Sequence, residues 1–189
     1  MLELVYPLSP APLLKGCTLE GATEIFPVVE PDGLVVAQAP RAFCHAGTKP
    51  LHPVVHLHII NRFSRIFLQK RPSDKDICPL CWDTAVGGHV SYGEYFEEAL
   101  FREASEELGL RDFNPVLLTS YVFESAVERE LVNVYAVVGS FELHPDPYEV
   151  ADARYWSIDE IERSYGTGVL TPNFESEFQQ IKDQLLALL

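Results

Sequence analysis

Long apolar runs, basic side chains and paired cysteines are what this chain has little of. No stretch approaches the 18 or more uninterrupted apolar residues of a membrane-spanning helix, so none is expected. Lysine and arginine number 14 against 28 acids, a net charge of −14, which excludes general affinity for nucleic acid or an anionic membrane because phosphate-rich partners would be repelled. The opening stretch MLELVYPLSPAPLL has no basic region and carries an early acid and prolines, so it is not expected to act as a secretory signal. A cytoplasmic setting with reduced thiols is the expectation. Cys78 and Cys81 form the C-x2-C pair, and Cys44 with His45 would have to complete a structural zinc site; reduced, partly buried thiols are the preferred reading. Internal repeats and low-complexity segments are absent.

What is present reads as one globular domain. The hydrophobic content is 47% and the charged content 22%, ordinary for a chain of 189 residues with a sizeable core. Residues 1–22 are Pro-rich and read as an irregular arm, packed on the domain or on a partner subunit, and 23–189 as the domain. Glu24–Glu30 and Leu34–Gln38 read as strands around the turn Pro31-Asp32-Gly33, with Arg41–Ala46 continuing the second. Pro53–Asn61 is a β-branched run suited to a central strand, followed by strands at Arg65–Lys70 and Trp82–Val86 around a polar loop, Arg71–Leu80. Asn114–Phe123 and Glu130–Phe141 read as a strand pair, and Ala153–Ser157 as a short strand. Ser157 with Glu160 predicts a capping box on a helix Ile158–Arg163. Thr171 and Pro172 predict the start of a last helix running to about Leu188.

The informative stretch is Gly87–Leu110, GGHVSYGEYFEEALFREASEELGL. Paired glycines lead into a helical pattern over Glu94–Leu108 that stops at Gly109. Glu103, Glu106 and Glu107 project from one face over about 100° of arc. Like charges so close destabilise a helix, and a divalent cation relieves them, since hard cations such as Mg²⁺ favour carboxylate oxygens. Phe101, Ala104 and Leu108 fall on the flank expected to face the core.

This stretch resembles the Nudix box, G-x5-E-x7-R-E-U-x-E-E-x-G-U, where U is apolar, through Gly88, Glu94, Arg102, Glu103, Ala104, Glu106, Glu107, Gly109 and Leu110. The resemblance implies an α/β (α+β) fold, an α/β/α sandwich with a mixed sheet and a catalytic loop–helix–loop. It implies Mg²⁺ or Mn²⁺ held by Glu103 and Glu107, with Glu106 supporting and the Gly87 carbonyl as a further ligand. Glu94 and Arg102 would pair to hold the turn, and Gly88 and Gly109 would be structural. A glutamate acts as general base in this family, either in the box or in a later loop, where Glu149 stands.

The surroundings also resemble type I isopentenyl diphosphate isomerase, which shares the Nudix fold. Its metal set of three histidines and two glutamates is matched by His45, His52, His89, Glu128 and Glu130, a second cluster beside the carboxylate helix, bridged through His89. Such imidazole and carboxylate donors suit Mn²⁺ or Zn²⁺. Trp156 matches that enzyme's active-site tryptophan, which faces the substrate. One departure is decisive for the reading: the isomerase cysteine falls at Gly87, and Ala85-Val86-Gly87-Gly88-His89 contains no thiol.

The sequence therefore reads as a metal-dependent hydrolase of a diphosphate linkage in a small molecule, with Mg²⁺ or Mn²⁺ as cofactor. The alternatives are an isopentenyl-diphosphate isomerase-like enzyme and a non-catalytic Nudix-fold binding module. Phe123, Glu124, Tyr148 and Thr171–Phe174 are candidates for contacting the group on the diphosphate. The family resemblance allows a homodimer.

Overall fold

A computed structural model describes residues 2–75 and 77–189. Met1, at the head of the expected arm, and Asp76, within the expected loop Arg71–Leu80, lie outside the described residues. The elements are β1 (Ile25–Val29), β2 (Val35–Pro40), a helical turn α1 (Arg41–Phe43), β3 (Leu51–Ile60), β4 (Arg65–Lys70), β5 (Trp82–Asp83), β6 (Val86–His89), α2 (Phe96–Leu108), β7 (Val116–Glu124), β8 (Arg129–Val138), β9 (Asp152–Ser157), α3 (Ile158–Arg163) and α4 (Pro172–Leu186). β1 and β2 form an antiparallel pair. The other strands run in the order β5-β4-β3-β8-β7, with β6 on β3 and β9 on β4. Contact density divides the chain into two compact units: one is the chain up to Val55 with Gly88–Leu100 and Ser120–Asn133, the other His56–Gly87, Phe101–Thr119 and Val134–Leu189.

In the first unit the arm is tied to β2. Val5 N–H donates to Gly33 O, Val35 N–H to Val5 O, and Gln38 N–H to Pro12 O, each at 2.9 Å. These bonds satisfy the β2 edge that would otherwise be left open. The segment Arg41–Ala46 corrects the sequence expectation: it is helical rather than extended, α1 continuing into a π-helical turn at Cys44–Thr48. The physical reason is burial. Cys44 is fully enclosed with Phe26, Val28, Ala37 and Ala39, and the chain reverses after it through Gly47 at φ +82°. α2 begins at Phe96, not Glu94, because the Glu94 carboxylate is turned back to accept from Ser91 N–H at 2.9 Å.

The second unit is built on β4. β9 pairs along its whole length, from Arg65 opposite Ser157 to Lys70 opposite Asp152. Ile59, Ile60, Ile66, Leu68, Leu108, Ile161, Phe174, Phe178, Ile181 and Leu185 make its enclosed core. The expected single strand Trp82–Val86 is split into β5 and β6, because Thr84 between them turns inward and its hydroxyl donates to Leu57 O at 3.1 Å. Both predicted caps form: Ser157 and Glu160 make the capping box of α3, and Thr171 Oγ1 accepts from Phe174 N–H ahead of Pro172 in α4. No helix among the described residues is long and apolar enough to cross a membrane.

Candidate metal centre and carboxylate helix

In the first unit four predicted residues converge. His45, from the π-helical turn, His52, from the start of β3, His89, from the end of β6, and Glu128, just before β8, have ligand atoms within 4.8 Å of one another. Glu128 Oε2 lies 3.4 Å from His45 Nε2, and Glu130 Oε1 lies 3.8 Å from His89 Nε2. Phe26 of β1 is the floor: its ring stacks on His89 at 4.5 Å and 5° and on His52 at 5.4 Å and 18°. That packing holds two imidazole planes nearly parallel and limits their rotation.

The protonation states suit ligands. Burial, above all, pushes His52 down to about 4, with the charges of His45 and Arg41 adding and the Pro50 carbonyl opposing. Burial, then Arg41, also lowers His45, against Glu24. His52 Nδ1 lies 3.0 Å from Pro50 O, to which its N–H donates, leaving the Nε2 lone pair directed inward. His52 Nε2 is buried and makes no hydrogen bond. An orphaned, neutral imidazole nitrogen beside two further imidazoles and a carboxylate is a donor set that a divalent cation completes, so the residues fit the ion that the sequence resemblance implies.

In the second unit the carboxylates of α2 are held apart. Arg102 Nη1 reaches Glu103 Oε1 at 2.7 Å and Glu106 Oε2 at 3.2 Å. Glu107 Oε2 accepts from Gln69 Nε2 at 2.9 Å and from Gly87 N–H at 3.4 Å. Burial pushes Glu107 up to about 8; the Glu103 charge adds, the Gln69 and Gly87 hydrogen bonds oppose, and the Glu149 charge adds again. Ala104 and Leu108 are fully buried on the opposite flank, as expected, and Phe101 partly so. α2 ends where Gly109, at φ +65°, lets its N–H reach Ser105 O at 3.1 Å.

The loop bearing Glu149 hangs on that helix end: Asp146 N–H donates to Glu107 O at 2.9 Å and His144 N–H to Leu108 O at 2.8 Å. Lys75 Nζ holds the Glu149 carboxylate at 2.8 Å. Gly88 lies in β6 next to Gly87. Trp156, on β9, is buried with the Arg154 guanidinium 3.9 Å above its ring centroid and Trp82 edge-on at 5.1 Å. Cys78 and Cys81 carry free thiols.

Several residues around these groups were not among those the sequence singled out. Phe26 reads only as a strand residue, and Gln69 and Lys75 carry no motif. His56, His58 and Glu177 had a signal: two histidines in alternation within an apolar strand, and an acid in the apolar phase of α4 among Phe174, Phe178, Ile181 and Leu185.

Known proteins are similar to this chain. Residues 50–175 match the NUDIX domain family model. An isopentenyl-diphosphate Delta-isomerase of Paenarthrobacter aurescens is 33% identical over 138 residues, 69% of this chain and 74% of that protein. A Nudix hydrolase of Listeria monocytogenes, itself uncharacterized, is 33% identical over 126 residues, 66% of this chain and 74% of that protein. A crystal structure from Deinococcus radiodurans superposes with a TM-score of 0.72 at 21% identity, over 83% of this chain and 98% of that one, which is a likeness of fold. With the box glutamates on α2, the glycine turn before it and a family match spanning most of the chain, the protein belongs to the Nudix domain family.

Proposed function

We propose that the chain is a divalent-metal-dependent hydrolase that cleaves the diphosphate linkage of a small molecule, a nucleoside diphosphate derivative or another organic diphosphate, in a cytoplasmic setting. The observation that carries this reading is the arrangement around Glu107: a half-buried carboxylate seated between Gln69 and the Gly87 amide, with Glu103 one turn back and the Glu149 loop hydrogen-bonded to the same helix end. Glu103, Glu106, Glu107 and the Gly87 carbonyl would hold Mg²⁺ or Mn²⁺, which when bound supplies charge neutralisation of the diphosphate and activation of water. Glu107 or Glu149 takes the proton of the attacking water. Lys75 orients Glu149.

A second reading is favoured by a specific observation. The histidine cluster matches the isomerase metal set, and isomerase-named proteins are among the relatives. Gly87 separates the two. Its φ is not in the left-handed region, and a Cβ there would meet His56 Cδ2 at 3.5 Å and Thr84 Cγ2 at 3.6 Å, ordinary contacts. A β-carbon is therefore sterically tolerated at a position where this chain has no side chain.

The test is a panel of nucleoside diphosphate derivatives and isoprenoid diphosphates with Mg²⁺ or Mn²⁺, with released phosphate products and isopentenyl-to-dimethylallyl conversion both measured. The wild type should release a phosphorylated product from at least one compound and convert no isopentenyl diphosphate. Gly87→Cys should fold, and conversion gained by that variant would place the isomerase frame under a lost thiol. Conversion by the wild type, without hydrolysis of any compound, would overturn the hydrolase reading in favour of the second.

A further inference from the structure

One motif of the sequence takes no part in the chemistry above: Cys78-Pro79-Leu80-Cys81, in the second unit, between β4 and β5. The four residues close a tight turn, with Cys81 N–H donating to Cys78 O at 3.3 Å. Pro79 and Leu80 are its central residues, and Leu80 stands at φ +62°, as the third residue of a type II turn requires. Such a turn holds its end Cα atoms within about 7 Å, close to the roughly 4.4–6.8 Å that a disulfide spans. The stem is tied from the other side as well: Arg71 N–H donates to Cys81 O at 2.9 Å and Leu80 N–H to Arg71 O at 3.2 Å. The Cys78 and Cys81 side chains are within hydrogen-bonding reach of each other.

Both thiols are free and partly exposed, whereas Cys44 is fully enclosed. Among the described residues neither belongs to a cluster of three or more metal donors, and a pair alone does not make a zinc site. Cys81 S–H donates to Gly168 O at 3.4 Å, a clasp from the turn to the Gly-rich link before α4. Beside it Trp82 N–H donates to Val169 O at 2.8 Å and Thr171 N–H to Trp82 O at 2.9 Å, so the clasp extends a short backbone ladder. Burial, then Cys78 and Asp83, pushes the Cys81 thiol up, with the Arg71 charge opposing. Cys81 therefore keeps its proton on Gly168 O, and the first attack on an oxidant falls to Cys78.

We propose that Cys78 and Cys81 form a reversible redox site, closed by a low-molecular-weight disulfide, that exchanges the Cys81–Gly168 hydrogen bond for an intramolecular disulfide. Cys78 gives its proton to solvent, and its thiolate attacks one sulfur of the small disulfide. That S–S bond breaks, and the first small thiol leaves with a proton from solvent. Cys81 then loses its proton to solvent, its sulfur bonds Cys78 Sγ, and the second small thiol leaves in the same way. Two electrons pass from the cysteine pair to the small disulfide, and two small thiols are released. With its S–H gone, Cys81 no longer donates to Gly168 O, so oxidation locks the turn and opens the clasp. A transient disulfide of this kind is compatible with a reducing compartment.

The probe is glutathione disulfide, added to the full chain and followed by dithiothreitol. Wild-type protein should lose two hydrogens, about 2 Da, and the thiols open to alkylation in denaturant should fall from four to two. Peptide mapping should join Cys78 to Cys81, and dithiothreitol should restore all four thiols. In ¹H–¹⁵N spectra the Val169 amide, whose peptide carries the Gly168 carbonyl, should move on oxidation and return on reduction. Cys81→Ser should stop at one glutathione adduct on Cys78. A wild type that keeps four thiols, that ends in mixed disulfides without closing, or that links through Cys17 or Cys44 overturns the site, as does Cys81→Ser that still loses two hydrogens. A closed Cys78–Cys81 bond with an unmoved Val169 amide overturns the exchange at Gly168. The wild-type mapping decides the matter without reliance on any variant.

Discussion

Under the proposed function, Glu107 is the residue that links chemistry to stability. Its folded pKa, raised from 4.5 to about 8 by burial and then by Glu103, means that the folded chain holds a proton between those values that the unfolded chain has released. The sign follows: without a divalent cation, stability falls as pH rises through that window. Glu107→Gln carries no ionisable group there, so its melting temperature should decline less between pH 5 and pH 8 than that of the metal-free wild type. The same variant should lose about a hundredfold or more in turnover on any diphosphate the wild type cleaves, since a metal ligand and base candidate is removed. Thermal melts across pH, paired with phosphate release, check both. Unchanged turnover would refute the assignment of Glu107. This residue's membership of the box was visible in sequence because E-x-x-E-E is a local spacing on one helix. Its partners Gln69 and Gly87 were not, since only folding brings β4 and the start of β6 to the helix.

At the scale of elements, the helix caps illustrate what local physics decides. Thr171 Oγ1 accepts from Phe174 N–H, and Pro172 occupies the first turn, as the sequence predicts. The cap matters beyond local stability because α4 carries Glu177 into its contact with His56 and His58. Thr171→Ala should cost about 1 kcal/mol in urea unfolding, the ordinary value of a lost cap. Thr171→Ser, which keeps the hydroxyl, should cost less than half as much. Equal losses in both would show that the threonine methyl, not the cap, stabilises the helix. Elements were misread where burial overrode a pattern. Arg41–Thr48 turns helical to enclose Cys44 and swing His45 back, and Trp82–Val86 breaks because Thr84 turns inward to Leu57.

For the whole molecule, the prediction concerns metal. His45, His52, His89 and Glu128 converge as a donor set, so a bound divalent cation should stabilise the folded chain by mass action. Mn²⁺ at about a hundredfold over its dissociation constant contributes about 2.7 kcal/mol, roughly 5–10 °C in melting temperature for a chain of this size. A chelator should remove that gain. His52→Gln should fold with little of it, and a full Mn²⁺ shift in that variant would exclude the histidine set as the stabilising site. The net charge of −14 points the same way, since an acidic chain that takes a diphosphate needs cations between the two.

By itself the sequence determined the box, the acidic face of α2, the stop at Gly109, the caps of α3 and α4, and the absence of a thiol at position 87. Each depends on spacings within a few residues, where helical and strand periodicity and capping hydrogen bonds operate. Only the tertiary structure decided that Phe26 stacks on His52 and His89 and meets His45 at a tilt, that Arg102 draws Glu103 and Glu106 aside while Gln69 takes Glu107, and that Glu177 reaches across 121 residues to His56. Those meetings depend on sheet register and on which buried charges must find partners. No local spacing encodes either.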